Sequence, residues 1–73
     1  MTTTTIHTMI GQLALQYCKK RLPLMVMRSA AGYYIGTCSD EGPCSRESTG
    51  YYRHQADAQH ALDAGEWNQR DHP

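Results

Sequence analysis

The sequence predicts a small α+β fold: a three-stranded antiparallel meander packed against an N-terminal helix and a short C-terminal helix. Three observations carry this. Apolar residues recur at helical spacing near the N-terminus, β-type stretches bounded by turn formers follow, and an Ala-rich stretch ending at a glycine closes the pattern. A chain of 73 residues accommodates a single domain, 1–73, with 1–5 and 69–73 expected to fray.

The N-terminal helix is expected over about residues 6–20, where Ile6, Met9, Ile10, Leu13, Ala14 and Tyr17 share one face at three- and four-residue steps. Thr5 or Thr8 offers a cap. Lys19, Lys20 and Arg21 would fall in the last turn, complementing the helix dipole, and Pro23 would stop the helix. Gly11 is its weak point, costing about 1 kcal/mol against alanine unless close packing requires it.

The pattern then becomes β-type. Strands are expected at about 24–29 and 33–38, joined through Ser29-Ala30-Ala31-Gly32, and a third at about 47–53, after a loop built on Ser39-Asp40-Glu41-Gly42-Pro43. A second helix over 55–64 would bury Ala58, Ala61 and Leu62, with Gly65 as its C-terminal cap and Trp67 closing the core edge. The tail from Gln69 has nothing apolar to bury.

So small a chain buries only about 60% of the surface its unfolded form exposes, which makes a homodimer an expectation to hold open. No apolar run reaches the ~18 residues of a membrane span, and the Thr-rich start lacks the features of a signal peptide, so no membrane association and a cytoplasmic location are expected. The formal net charge is zero but unevenly spread. Residues 1–39 carry Lys19, Lys20, Arg21 and Arg28 and no acid, whereas residues 40–73 carry seven acids against Arg46, Arg53 and Arg70. This split suits a basic patch for nucleic acid, an acidic face for a basic partner, or two halves that attract each other within the fold.

Three cysteines without an export signal argue for reduced thiols rather than a disulfide framework. Cys38 and Cys44 could form a redox or metal pair with His54 or His60 as further ligands, although five intervening residues are too many for a standard zinc knuckle. The plainer reading makes Cys18 a small core residue and the other two incidental, with no cofactor.

Gly32-Tyr33-Tyr34, Cys38, Cys44, Ser45-Arg46, Thr49-Gly50-Tyr51, Ala61-Leu62 and Trp67-Asn68-Gln69-Arg70 occur in the order of a known pattern. Over residues 32–70 the chain resembles the C-terminal part of small phage and prophage restriction-alleviation (Lar-like) proteins. Their first zinc knuckle, Cys-Pro-x-Cys-Gly, is missing here. The resemblance implies a phage or mobile-element accessory protein that modulates host defence by binding, and, in a weaker form, a degenerate zinc ribbon.

No nucleophile stands beside a base, Asp40 and Glu41 are adjacent turn carboxylates, and no glycine-rich phosphate motif follows a strand, so no enzyme is expected. The Tyr-Tyr pairs are more informative. Neighbouring strand residues point to opposite faces, so each pair would bury one ring and present the other, and the two outward rings would lie close together. Tyr33, Tyr34, Tyr51, Tyr52 and Arg53, with Asp40 and Glu41 in the loop, are the candidate contacts for a host protein inhibited by steric occlusion. Cross-strand stabilisation is the plain alternative for the tyrosines. A nucleic-acid reading would use Lys19, Lys20, Arg21 and Arg28 on phosphates and the tyrosines on bases.

Overall fold

A computed structural model of the chain describes residues 10–71. The elements run α1 (Gln12–Cys18), β1 (Met25–Ser29), β2 (Gly32–Ser39), β3 (Gly42–Arg46) and α2 (Gln55–Ala64). The three strands form an antiparallel meander in the order β1-β2-β3. Helix α2 packs against β1 and β2, and α1 against β3. The small α+β fold is therefore as the sequence predicts.

The buried apolar residues are few: Leu13 and Ala14 of α1, Tyr34 and Ile35 of β2, and Ala58 and Ala61 of α2. Alternation along β2 puts Tyr33, Ile35 and Thr37 on one face and Tyr34, Gly36 and Cys38 on the other. Polar side chains share the interior, since Thr37, Glu47 and Ser48 are also fully buried. They lie on and beside the sheet where α1 meets it.

Helix α1 is shorter than the periodicity suggests, and Ile6 and Met9 lie outside the described residues. It starts after Gly11, whose N–H reaches Leu22 O at 2.8 Å while Ile10 bridges Pro23, so the segment after the helix doubles back along its entrance. The basic cluster is not in the last turn. Lys19 is the C-cap, in the left-handed region at φ 59°, ψ 31°, and Lys20 and Arg21 follow it. Gly11 is not a mid-helix defect either, but the N-cap: a Cβ there would sit 2.3 Å from Thr37 Cγ2 and 2.8 Å from a Glu47 carboxylate oxygen. Gly11 is thus hemmed in by the Leu22 backbone on one side and the Thr37 and Glu47 side chains on the other.

The two hairpins are built alike. Ser29-Ala30-Ala31-Gly32 and Ser39-Asp40-Glu41-Gly42 each pair the serine with the glycine, and each serine hydroxyl donates to the glycine carbonyl and accepts the N–H two residues on. The glycines take the positive φ (133° and 115°) and the intervening residues do not. The second turn is thus tight, and β3 starts at Gly42 instead of at 47. Pro43 is tolerated in it because β3 is an edge strand. A bulge between Thr37 and Cys38 shifts the register, pairing Thr37 with Ser45 and Cys38 with Pro43.

Residues 47–53, expected as the third strand, instead make an irregular run along the same edge of β2. Glu47 and Ser48 both donate to Ile35 O, Ser48 Oγ accepts the Ile35 N–H, and Tyr52 then exchanges both backbone bonds with Tyr33. Two consecutive residues facing one carbonyl cannot belong to a regular ladder. The tail is also tied down: Thr49 N–H reaches Asn68 O, Arg70 N–H reaches Glu47 O, and Ser48 bridges Gln69. Gln69 and Arg70, expected to fray, are half-buried. Helix α2 ends on Gly65 at φ 70°, with Glu66 N–H returning to Ala61 O at 2.9 Å.

Candidate functional site

Beside the first hairpin turn the chain forms an open cleft of about 580 Å³, lined by Arg28, the turn 29–32, Tyr33, Tyr51, Tyr52 and Arg53. The backbone bridge between Tyr33 and Tyr52 creates it, because it brings the second Tyr-Tyr pair and Arg53 alongside the end of β1. The Arg28 guanidinium lies over the Tyr33 ring, 5.9 Å from its centroid. Among the described residues no carboxylate pairs with Arg28 or Arg53, and both are exposed. The cleft therefore presents two uncompensated cations among three tyrosine residues, which suits an anionic or planar group on a partner.

Tyr34 does not join that surface. It lies on the opposite face of β2 from Tyr33, and the Tyr51 ring meets it edge-on at 5.9 Å between centroids and 77° between planes. The ring that meets Tyr51 is thus the buried one of the first pair, not the outward one as expected: Tyr34 is 8% exposed and serves as packing. Burial, helped by neighbouring Tyr51, raises the Tyr34 phenol above its ordinary pKa and keeps it neutral. Tyr51 is held from its other side by Arg46, whose guanidinium stands 4.8 Å from the ring centroid and whose Nη1 donates to the Tyr51 hydroxyl. Tyr51 thus belongs both to the cleft and to the packing behind it.

Asp40 and Glu41 sit at the opposite end of β2, at the tip of the second turn. Seven residue steps of strand, at ~3.3 Å each, separate the two ends by roughly 23 Å. There Lys20 Nζ approaches Glu41 Oε1 at 3.6 Å, with both side chains exposed. That contact supplies part of the attraction between the basic and acidic halves, and such a pair contributes at most about 1 kcal/mol. The nucleic-acid reading is divided by the same distance, since Lys20 lies near the acidic turn while Arg28 and Tyr33 lie at the far end of β2.

The most connected polar group is one the residue patterns did not single out. Glu47 is completely buried, and its carboxylate accepts the N–H of Leu13 on both oxygens (2.9 and 3.0 Å), the N–H of Ala14 (3.1 Å), the Ser45 hydroxyl (2.5 Å) and Gln69 Nε2 (2.7 Å). Because Ser45 spends its proton on Glu47, Thr37 must donate across the 2.6 Å contact to Ser45. Burial raises the Glu47 pKa, but the donors from Leu13, Ser45, Gln69 and Ala14 outweigh it and leave the group below its ordinary value. The carboxylate is the N-cap that α1 lacks in its own sequence, since Gly11 has no side chain to offer. Each member of the network holds another, with Glu47 and Thr37 fully buried and Ser45 and Gln69 half-buried, and the network ties α1 to the sheet and to the C-terminal segment.

The proposed metal set does not assemble. Cys38 adjoins Tyr34, His54 is the N-cap residue of α2 near the other end of β2, and Cys44 lies on β3, against which α1 packs, close enough to Cys18 to raise its pKa. The bulge explains the separation, since Cys44 is the extra residue of β3 with no opposite number on β2. Among the described residues no three His, Cys, Asp or Glu side chains are grouped to hold a metal ion.

These features define a small α+β domain with an open arginine–tyrosine cleft. No protein-family model, curated protein or solved structure matches the chain. Among the described residues no helix is long and apolar enough to cross a membrane.

Proposed function

We propose that this protein is a non-enzymatic binding module that takes an acidic segment of a partner protein into the cleft between Arg28 and Arg53. Occupying that segment blocks the partner sterically. The carrying observation is the placement of two exposed, uncompensated guanidinium groups among Tyr33, Tyr51 and Tyr52. Arginine and tyrosine are the side chains most often dominant in binding hot spots, and a guanidinium can grip a carboxylate with two parallel hydrogen bonds. A phage or mobile-element accessory role against a host protein is supported by the resemblance over residues 32–70.

The test replaces the arginines, because Tyr34 and Tyr51 are packing residues and their loss would disturb the fold. Exposed Arg28 and Arg53 should be removable within about 0.5 kcal/mol of stability. Amide shifts are followed while a Glu/Asp-rich peptide is titrated, with single-stranded DNA in a parallel titration. Saturable shifts at residues 28–33 and 51–53 with the peptide, lost in Arg28→Ala/Arg53→Ala, are expected. Peptide binding that survives the double substitution, or shifts confined to Lys19–Arg21 with DNA, would refute the assignment.

A further inference from the structure

A second pair of groups lies outside the cleft, and it owes nothing to the binding reading. Cys18 is the last residue of α1 and is exposed; Cys44 is half-buried on β3, the strand against which α1 packs. Helix α1 and the residues after it run antiparallel to β3, with Leu13 on Glu47 at one end and Lys20 near Glu41 at the other, which brings Cys18 alongside Cys44, and Cys44 raises the Cys18 pKa. Cys38, although closer to Cys44 in sequence, adjoins Tyr34 on the other face of the sheet.

We infer that Cys18 and Cys44 form a reversible dithiol site, oxidised by small-molecule disulfides such as glutathione disulfide to a bond that staples α1 to β3. The exposed Cys18 is the thiol such an oxidant reaches first. As thiolate it attacks one sulfur of glutathione disulfide, the S–S bond breaks, and one glutathione thiolate leaves with the electron pair. The Cys44 thiolate then attacks the Cys18 sulfur of the mixed disulfide and releases the second glutathione. Both cysteines are oxidised, the two glutathione sulfurs are reduced, and the two protons from the protein thiols end on them. Neighbouring Cys44 favours the protonated form of Cys18, so the first step is slow near neutrality and accelerates as pH rises.

The bond would act on the least self-sufficient element of the fold. A helix of 7 residues has no stability of its own. Its N-terminus is held by Glu47, and its other end carries Cys18. Oxidation adds a covalent tie at that end and closes a loop over residues 18–44, which restricts the unfolded chain.

The experiment equilibrates the full chain with glutathione disulfide, blocks remaining thiols, and digests with trypsin and Glu-C together. Trypsin alone leaves Cys38 and Cys44 in one peptide, 29–46, whereas the pair of proteases separates 1–19, 29–41 and 42–46. Peptide 1–19 linked to 42–46 is expected, together with a thermal midpoint raised by roughly 10 °C that reverses on reduction. As a second arm, Cys38→Ser should form the bond as readily as the original chain, and Cys18→Ser should stop at a glutathione adduct. A link between 29–41 and 42–46, glutathione adducts with no internal bond, or a Cys18→Ser chain that still closes a disulfide would overturn the inference.

Discussion

Replacing Glu47 with glutamine should destabilise this protein far more than its conservative chemistry suggests. The carboxylate has four donors aimed at it, two of them the N–H groups of Leu13 and Ala14 at the start of α1. An amide offers one acceptor oxygen and turns an NH2 toward donors that can use no second donor. Gln69 donates to Oε1, Ser45 and Ala14 donate to Oε2, and Leu13 reaches both, so a single amide oxygen gives up either the Gln69 bond or the Ser45 and Ala14 bonds, each at about 1.5–3 kcal/mol to a charged acceptor. The expected cost is about 2–5 kcal/mol. A 73-residue domain at about 0.05–0.15 kcal/mol per residue has roughly 4–11 kcal/mol in all, so the substitution removes a large share of it. Urea unfolding at pH 7, followed by far-UV circular dichroism, measures it directly. The pH dependence supplies an independent readout. The folded-state pKa of Glu47 lies below its ordinary 4.5, so below that value the unfolded chain takes up a proton before the folded one does. Its stabilisation is complete above the ordinary value and is lost as pH falls through the folded-state pKa. Glu47→Gln should therefore flatten the acid limb of the stability profile as well as lower the plateau. A variant within 1 kcal/mol of the original, or one with an unchanged acid limb, would show that the carboxylate does not hold α1 in this way.

Two further substitutions probe the same helix from its ends. Gly11→Ala places a methyl group 2.3 Å from Thr37 Cγ2 and 2.8 Å from the Glu47 carboxylate, so chemical denaturation should show a loss of about 1–3 kcal/mol, the usual range for overpacking. Lys19→Gly removes a β-carbon from a left-handed C-cap; a gain of about 0.5–1 kcal/mol is expected, read as a rise of a few degrees in the melting midpoint. A loss of stability in Lys19→Gly would mean that the Lys19 ammonium bond to Gln16 O outweighs the backbone strain.

Local chemistry made several parts legible. Residues 55–64 carry alanines at core spacing and end on a glycine, and Gly65 supplies the left-handed cap that this pattern requires. The first hairpin was equally plain, because its Ser-x-x-Gly turn separates two β-type runs. The second hairpin has the same turn, but Gly42-Pro43 reads as a loop to any rule based on composition, and that displaced the third strand by five residues. The cleft was half visible: the tyrosines and Arg53 could be named as candidates, while their gathering with Arg28 and the separation of Tyr34, Asp40 and Glu41 could not.

What the sequence determined by itself are properties set within a few residues: which stretches favour helix or strand, where serine and glycine reverse the chain, and hence the α+β class. Tertiary structure decided everything that joins distant residues. Glu47 caps a helix more than thirty residues away because Gly11 leaves room for it. Cys44 faces Cys18 rather than Cys38 because one bulge leaves it without a partner on β2. Arg28 and Arg53 share a cleft because Tyr52 pairs with Tyr33. The physical reason is common to all three. Hydrogen-bond and side-chain contacts depend on how strands register and chains cross, and a one-residue shift in register changes which groups meet without changing the local preference of any segment.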